Sequence, residues 1–137
     1  MTVYVVRLGS PRGKNEGLRI GTVRRPPRGV KREHYASGNW YDVWLPVLSP
    51  SAETVRMALD AETSADLSRF TKRYRREMKA PDAARTLLLL AALSQQTNFA
   101  VGCYCADHTR CHRTILGELL AEQGALMAAE QVAAKPL

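Results

Sequence analysis

The sequence predicts an α/β protein: a single domain over residues 1–137, with a small, mostly parallel sheet flanked by helices. Three observations carry this. Runs rich in β-branched and aromatic residues occupy residues 3–8, 18–24 and 99–104. Helical patterns fill most of the chain between the last two of these runs. Strands separated by helices imply a parallel sheet, because a parallel partner is reached only by a crossover.

The elements follow in order. Residues 3–8 read as a buried strand, and the Gly/Pro/Lys-rich stretch 9–17 as a loop. Residues 18–24 suit a second strand. Arg-Pro-Pro-Arg-Gly at 25–29 stops regular structure, since proline removes a donor and restricts the residue before it. Residues 30–39 carry no clear signal. The aromatic-rich 40–48 suits a strand or an extended packing segment.

Ser49 reads as a helix cap, with Pro50 at the first helical position, and the helix runs to about Leu59. A second helix spans 64–78, with Leu67, Phe70 and Tyr74 on one face. A third opens at Pro81, and its run 87–93 is apolar all round, which predicts burial. Residues 99–104 are continuously apolar or small, the pattern of a central strand. An amphipathic helix follows from Cys111 to a stop at Gly124, then a helical Ala/Gln/Glu tail. The sum is a Rossmann-like three-layer arrangement with no internal repeat and no domain boundary.

Composition narrows the function classes. Hydrophobic residues at 45% and charged residues at 24% fit a soluble globular chain and exclude a disordered one. No apolar run approaches the roughly 20 residues of a membrane span. The N-terminus lacks the basic start of a signal peptide, so a cytoplasmic location and no membrane partner are expected. The net charge of +7 is concentrated. Residues 1–35 carry nine Lys/Arg against two Glu, while the remainder carries eleven of each sign. Such a patch is either a solvated face or a surface for a phosphate-bearing partner.

All three cysteines and two of the three histidines lie between Phe99 and Arg113. The odd count and the closeness of Cys103 and Cys105 argue for free thiols or a metal rather than a disulfide framework. The segment runs from a strand through a polar loop into a helix, the place where ligands gather in parallel sheets. His34 is isolated and reads as an ordinary surface side chain.

Two blocks then resemble a known family. The first is Glu-Gly-Leu-Arg-Ile-Gly-Thr-Val-Arg-Arg-Pro-Pro-Arg-Gly at 16–29, followed by Trp44, the Leu-Ser-Pro-Ser stretch at 48–51, and Phe70, Tyr74 and Glu77. The second is Cys103 to Arg113, similar to a C-x-E-x-x-P-x-x-C-H-R signature. Together they resemble the domain of unknown function 488 family, which implies a fold and recurring polar residues but no settled activity. Arg24, Pro27, Arg28 and Gly29 match the first motif, and Cys103, Cys111, His112 and Arg113 the second. Val23 stands where the short branch of the family carries an acid, and Pro26 where it carries tryptophan. Cys105 replaces the signature's Glu, and His108 its proline.

Three readings of the chemistry stay open. In the nucleophilic one, Cys111 at a helix N-terminus is the nucleophile and His112 or His108 the acid or base, with Arg113 clamping an anion. Adjacent helical residues point about 100° apart, so Cys111 and His112 need not touch. In the metal reading, Cys103, Cys105, His108 and Cys111, with His112 also at hand, offer zinc ligands. In the binding reading, Arg24, Arg28, Gly29 and Arg113 cradle a phosphate, while Trp40, Tyr41 and Trp44 offer a stacking surface. Core packing is the competing role for the aromatics, more so for Trp44 than for Trp40. No cofactor is called for, zinc being the one candidate. The expectation is an anion pocket between the 24–29 loop and the 103–113 segment, acting on or binding a small anionic ligand, a nucleotide or a nucleic-acid component. Alternatives are a Cys-dependent enzyme on a small anionic substrate and a small metal-binding structural protein.

Overall fold

Four parallel strands lie in the order β1-β4-β2-β3: β1 Val3–Arg7, β2 Leu18–Gly21, β3 Val43–Trp44 and β4 Phe99–Cys103. The computed structural model describes residues 1–128. The helices are α1 Ala52–Asp60, α2 Ser64–Glu77, α3 Pro81–Leu93 and α4 His112–Glu122. β4, expected at the centre, is buried along its whole length between β1 and β2.

The sheet is the middle of three layers. On one face Val3, Ile20, Phe99 and Val101 pack in a core with Ala58 of α1, Phe70 and Tyr74 of α2, Leu87 and Leu90 of α3, and Ile115 and Leu116 of α4. The other face is covered by irregular chain. A Cβ at Gly21 would run into the Tyr41 ring, and one at Gly102 would lie 2.9 Å from Leu8. Only the absence of side chains there lets these segments lie flat on the sheet.

The loop layer is held by one buried cation. Arg19 is wholly buried on β2 and uses all five of its N–H donors. It grips Glu16 in bidentate fashion (2.7 and 2.9 Å) and donates to the carbonyls of Ser10 (2.8 Å), Asn39 (2.7 Å) and Pro11 (3.4 Å). Glu16 is itself 3% exposed. Asp42 completes the fastening, accepting from the Arg19 amide and from Arg12, both at 2.8 Å.

A second clasp joins the helices. The Glu77 carboxylate, at the end of α2, accepts from the Ser51 amide (3.0 Å) and hydroxyl (2.6 Å) and from the Thr54 hydroxyl (2.7 Å). Tyr74, one turn earlier, donates to the Leu48 carbonyl at 2.7 Å. This clasp moves the start of α1: the cap is Ser51 rather than Ser49, whose hydroxyl turns back to the Pro46 carbonyl.

Other expectations are corrected. Of 40–48 only Val43–Trp44 pairs as a strand, because Pro46 opens a 3-10 turn. Of 18–24 only Leu18–Gly21 forms the strand, the ladder ending as Thr22 donates to the Gly102 carbonyl. The run 87–93 is not buried all round: Leu88, Leu89 and Leu93 are exposed because α3 packs through one face only. α4 ends at Glu122, and Gly124 follows with φ +99°, the left-handed stop expected there. Residues 126–128 run beside β1, with Val3 donating to Leu126 and Ala128 to Val3. The helical tail, from residue 129 onwards, lies outside the described residues.

Two outcomes follow. Arg19→Met should lower the unfolding free energy by about 3–5 kcal/mol in urea denaturation, since it strands a buried carboxylate. Glu77→Gln should cost about 1–3 kcal/mol. Burial pushes the Glu77 carboxyl up, but hydrogen bonds from Ser51 and Thr54 outweigh it and hold the group below its ordinary 4.5. Its stabilisation is therefore full above that value and lost as pH falls through the lower folded-state value. Denaturation midpoints across the acid range should show wild type losing more stability than the Gln variant.

Candidate functional site

The carboxyl ends of β1, β4 and β2 converge where α4 begins. β4 delivers Cys103 to this edge. The chain then passes through an exposed loop and a 3-10 turn, His108–Arg110, opened by Asp107, whose carboxylate accepts from the Thr109 amide at 2.9 Å. Arg110 ties that turn to the end of α1 by donating to the carbonyls of Ala58 (3.1 Å) and Ala61. Such a bond satisfies carbonyls that a helix end leaves open.

Cys111 is the residue before α4, with extended backbone (φ −127°, ψ 144°). The 100° separation of helical neighbours therefore does not apply to it, and its sulfur lies 3.9 Å from His112 Nδ1. His112 Nε2 donates to the Thr22 carbonyl at 2.6 Å. A carbonyl only accepts, so Nε2 carries the proton and Nδ1 presents its lone pair towards Cys111. Burial pushes the imidazole pKa down to about 4, Arg113 adding to the effect and the Thr22 bond opposing it. The ring is neutral near pH 7. Tyr74 packs edge-on to it at 5.3 Å, so the helix clasp also buttresses the site.

The sulfurs of Cys103 and Cys111 are joined as a disulfide across a Cα separation of 7.6 Å. Arg113 donates to the Cys105 carbonyl at 2.6 Å and approaches Cys103 Sγ at 3.6 Å. Cys103 Sγ, Cys111 Sγ and a nitrogen of His112 all lie within 4.8 Å of one another, and all three residues are buried. The ligand set expected for a metal is thus regrouped. Cys105 is exposed because β4 ends at Cys103, and His108 lies on the intervening turn, outside the cluster.

A cleft of about 460 Å³ opens beside this cluster, lined by Arg7, Gly9, Ser10, Arg28, Trp40 and Tyr104 among others. The Tyr104 hydroxyl donates to the Arg25 carbonyl at 2.8 Å, fastening the arginine loop to the end of β4. Arg7 Nε donates to the Tyr104 carbonyl at 3.2 Å. Gly9 takes φ +94°, and a Cβ there would sit 2.9 Å from the Trp40 ring. That opening lets the indole lie against the backbone, edge-on to Tyr104 at 6.0 Å.

The expected anion residues are not all brought together. Arg28 lines this cleft, whereas Arg113 lines a separate groove of about 710 Å³ along the outer edge of β1, with His108. Arg7 lines both. Arg24 and Gly29 are exposed and line neither, and the same holds for buried Cys111 and His112. Trp44, expected in the core, is 42% exposed, with Nε1 donating to the Val23 carbonyl at 2.7 Å. It is Trp40 that packs. Arg7 and Tyr104 were missed as site residues, although each sits at the carboxyl end of a parallel strand, where the rule for such sheets looks for ligands. Thr22 gave no signal, because it acts through its carbonyl.

No helix among the described residues is long and apolar enough to cross a membrane. No curated protein and no solved structure matches the chain. A family model described as the active DUF488-N3 subclade matches residues 3–124, and the chain belongs to the DUF488 family.

Proposed function

We propose that the cleft between the arginine loop and the end of β4 binds a small phosphate-bearing anion of nucleotide type. The observation that supports this is that Arg28 and Trp40 line one concavity. Arg28 is exposed and makes no hydrogen bond or ion pair among the described residues, so its planar fork is available for a phosphate. Arg7 adds a second positive charge, and the indole offers a face on which a base can stack. The volume of about 460 Å³ falls within the range of small-molecule sites, about 300–1,000 Å³. A terminal nucleotide of a nucleic acid carries the same chemistry, and the cytoplasm is the compartment this reading assumes.

Tryptophan fluorescence tests it. In a Trp44→Phe background only Trp40 reports. AMP or ADP should quench its emission saturably, adenosine should bind at least 10-fold more weakly, and raised salt should weaken the nucleotides. Arg28→Ala should cost about tenfold in affinity, or about 1.4 kcal/mol. No saturable change with any phosphate compound, or an Arg28→Ala protein that binds as wild type does, would overturn the proposal. A single-stranded oligonucleotide that binds far more tightly than AMP would move the substrate class to nucleic acid.

A further inference from the structure

We infer that Cys103, Cys111 and His112 form a binding site for one thiophilic divalent cation of the zinc class when the two cysteines are reduced. The inference is independent of the nucleotide cleft. It rests on geometry, beginning with the backbone. The two Cα atoms stand 7.6 Å apart, wider than the roughly 4.4–6.8 Å usual between disulfide-linked residues. β4 fixes one of them and the start of α4 the other. Two thiolates held at that spacing can reach a common ion from either side.

The imidazole and Cys111 already stand at a ligand spacing, whereas the two sulfurs, bonded in the disulfide, separate only on reduction. Bonds of about 2.3 Å to sulfur and 2.0–2.1 Å to nitrogen, at tetrahedral angles, place ligand atoms roughly 3.5–4 Å apart. Cys111 Sγ and His112 Nδ1 are 3.9 Å apart, and all three ligand atoms lie within 4.8 Å.

The imidazole is also prepared for the role. Its far nitrogen is committed to the Thr22 carbonyl, so the near one is an unprotonated donor. Metal-bound histidines are held by this kind of outer hydrogen bond, which sets both tautomer and ring direction. Thr22 is itself fixed, its hydroxyl donating to the Gly102 carbonyl at 3.0 Å. Arg113 stands 3.6 Å from Cys103 Sγ and places a positive charge beside the cluster.

One further polar group belongs to the neighbourhood. Tyr41 packs in the same side-chain cluster as Cys103 and Cys111, and its hydroxyl is buried without a hydrogen-bond partner among the described residues. Buried hydroxyls rarely go unpaired, so Tyr41 is a polar group this part of the interior leaves open. Three protein ligands leave a fourth position on a tetrahedral ion, which a water fills. Binding releases the two thiol protons to solvent and involves no electron transfer. The disulfide and the ion are alternative states of the same two sulfurs.

Cobalt(II) is the probe. Full-length protein is reduced with a phosphine under anaerobic conditions, stripped of metal, and titrated. One equivalent should bind, with a near-ultraviolet thiolate-to-cobalt band of the intensity of two sulfurs and visible bands of tetrahedral strength, and zinc should displace it. Protein kept in the disulfide form should show no band. Cys105→Ser and His108→Ala should titrate as wild type does, whereas Cys103→Ser and Cys111→Ser should lose at least half of the charge-transfer intensity. His112→Gln should weaken binding 10-fold or more, in line with the loss of one ligand. Absence of the band in reduced wild-type protein would overturn the inference, as would its loss in Cys105→Ser. Should the Cys103 and Cys111 variants fail to fold, the wild-type intensity per cobalt still counts the thiolates, and a one- or three-sulfur value refutes the assignment.

Discussion

A guanidinium with no access to water governs much of this molecule. Arg19 points away from the helical core, on the face of the sheet that no helix covers, and it is balanced there by Glu16 and three backbone carbonyls. Those acceptors come from residues 10, 11, 16 and 39, so one side chain sets the path of two long irregular segments. Taking such a charge out of water is costly, and only complete satisfaction of its donors offsets that. Completeness is the constraint. If any acceptor drifts, the remaining bonds no longer offset the desolvation, so the loops are held to one arrangement. Ser10, Gly9 and Trp40 form part of the cleft and lie on or beside these anchored segments, which makes the cleft a consequence of the buried pair.

The residues that carried the family resemblance divide by role. Phe70, Tyr74, Glu77 and Ser51 belong to scaffold: a core ring, a hydroxyl on the Leu48 carbonyl, and a carboxylate that organises the first turn of α1. Tyr74 bridges to the second group through its contact with His112. Cys103, Cys111, His112 and Arg113 are brought together by the strand–loop–helix crossover, with Arg110 closing the loop against α1. The residues that place this chain in the DUF488 family are thus as much scaffold as candidate site.

The junction between β4 and α4 shows how a local conformational choice creates a site. Had Cys111 been the first helical residue, its thiol and the imidazole would have diverged around the helix. Extended backbone at the capping position turns them towards one another. The bond from His112 to the Thr22 carbonyl then joins the end of β2 to the start of α4, across the strand between them. A neutral, oriented imidazole and two sulfurs result, while the neighbouring cleft is walled by Arg7 and Tyr104 at strand ends and by the 9–10, 27–28 and Trp40 loops.

Much of the architecture was legible in the amino-acid order. Periodicity and capping residues place the four helices of the described residues within a few positions, and the unbroken apolar run at 99–103 marks the central strand, because these signals act between neighbours in the chain. The cysteine-rich turn announced itself by composition. Charge counting found the basic first quarter but could not tell Arg19, sealed in the interior, from Arg28, exposed at a cleft. Both are arginines beside glycines and hydrophobes. Their difference comes from Glu16, Ser10, Pro11 and Asn39 closing around one of them, and that closure is a matter of distance in space. The same holds for the Cys-His cluster proposed above as a metal site, where His112 joins Cys103 and Cys111 while Cys105 and His108 stay outside because the strand stops at Cys103. Local sequence determines where strands and helices form. Which polar groups meet depends on packing between distant segments, where desolvation and the saturation of hydrogen bonds select among the partners that sequence leaves equivalent.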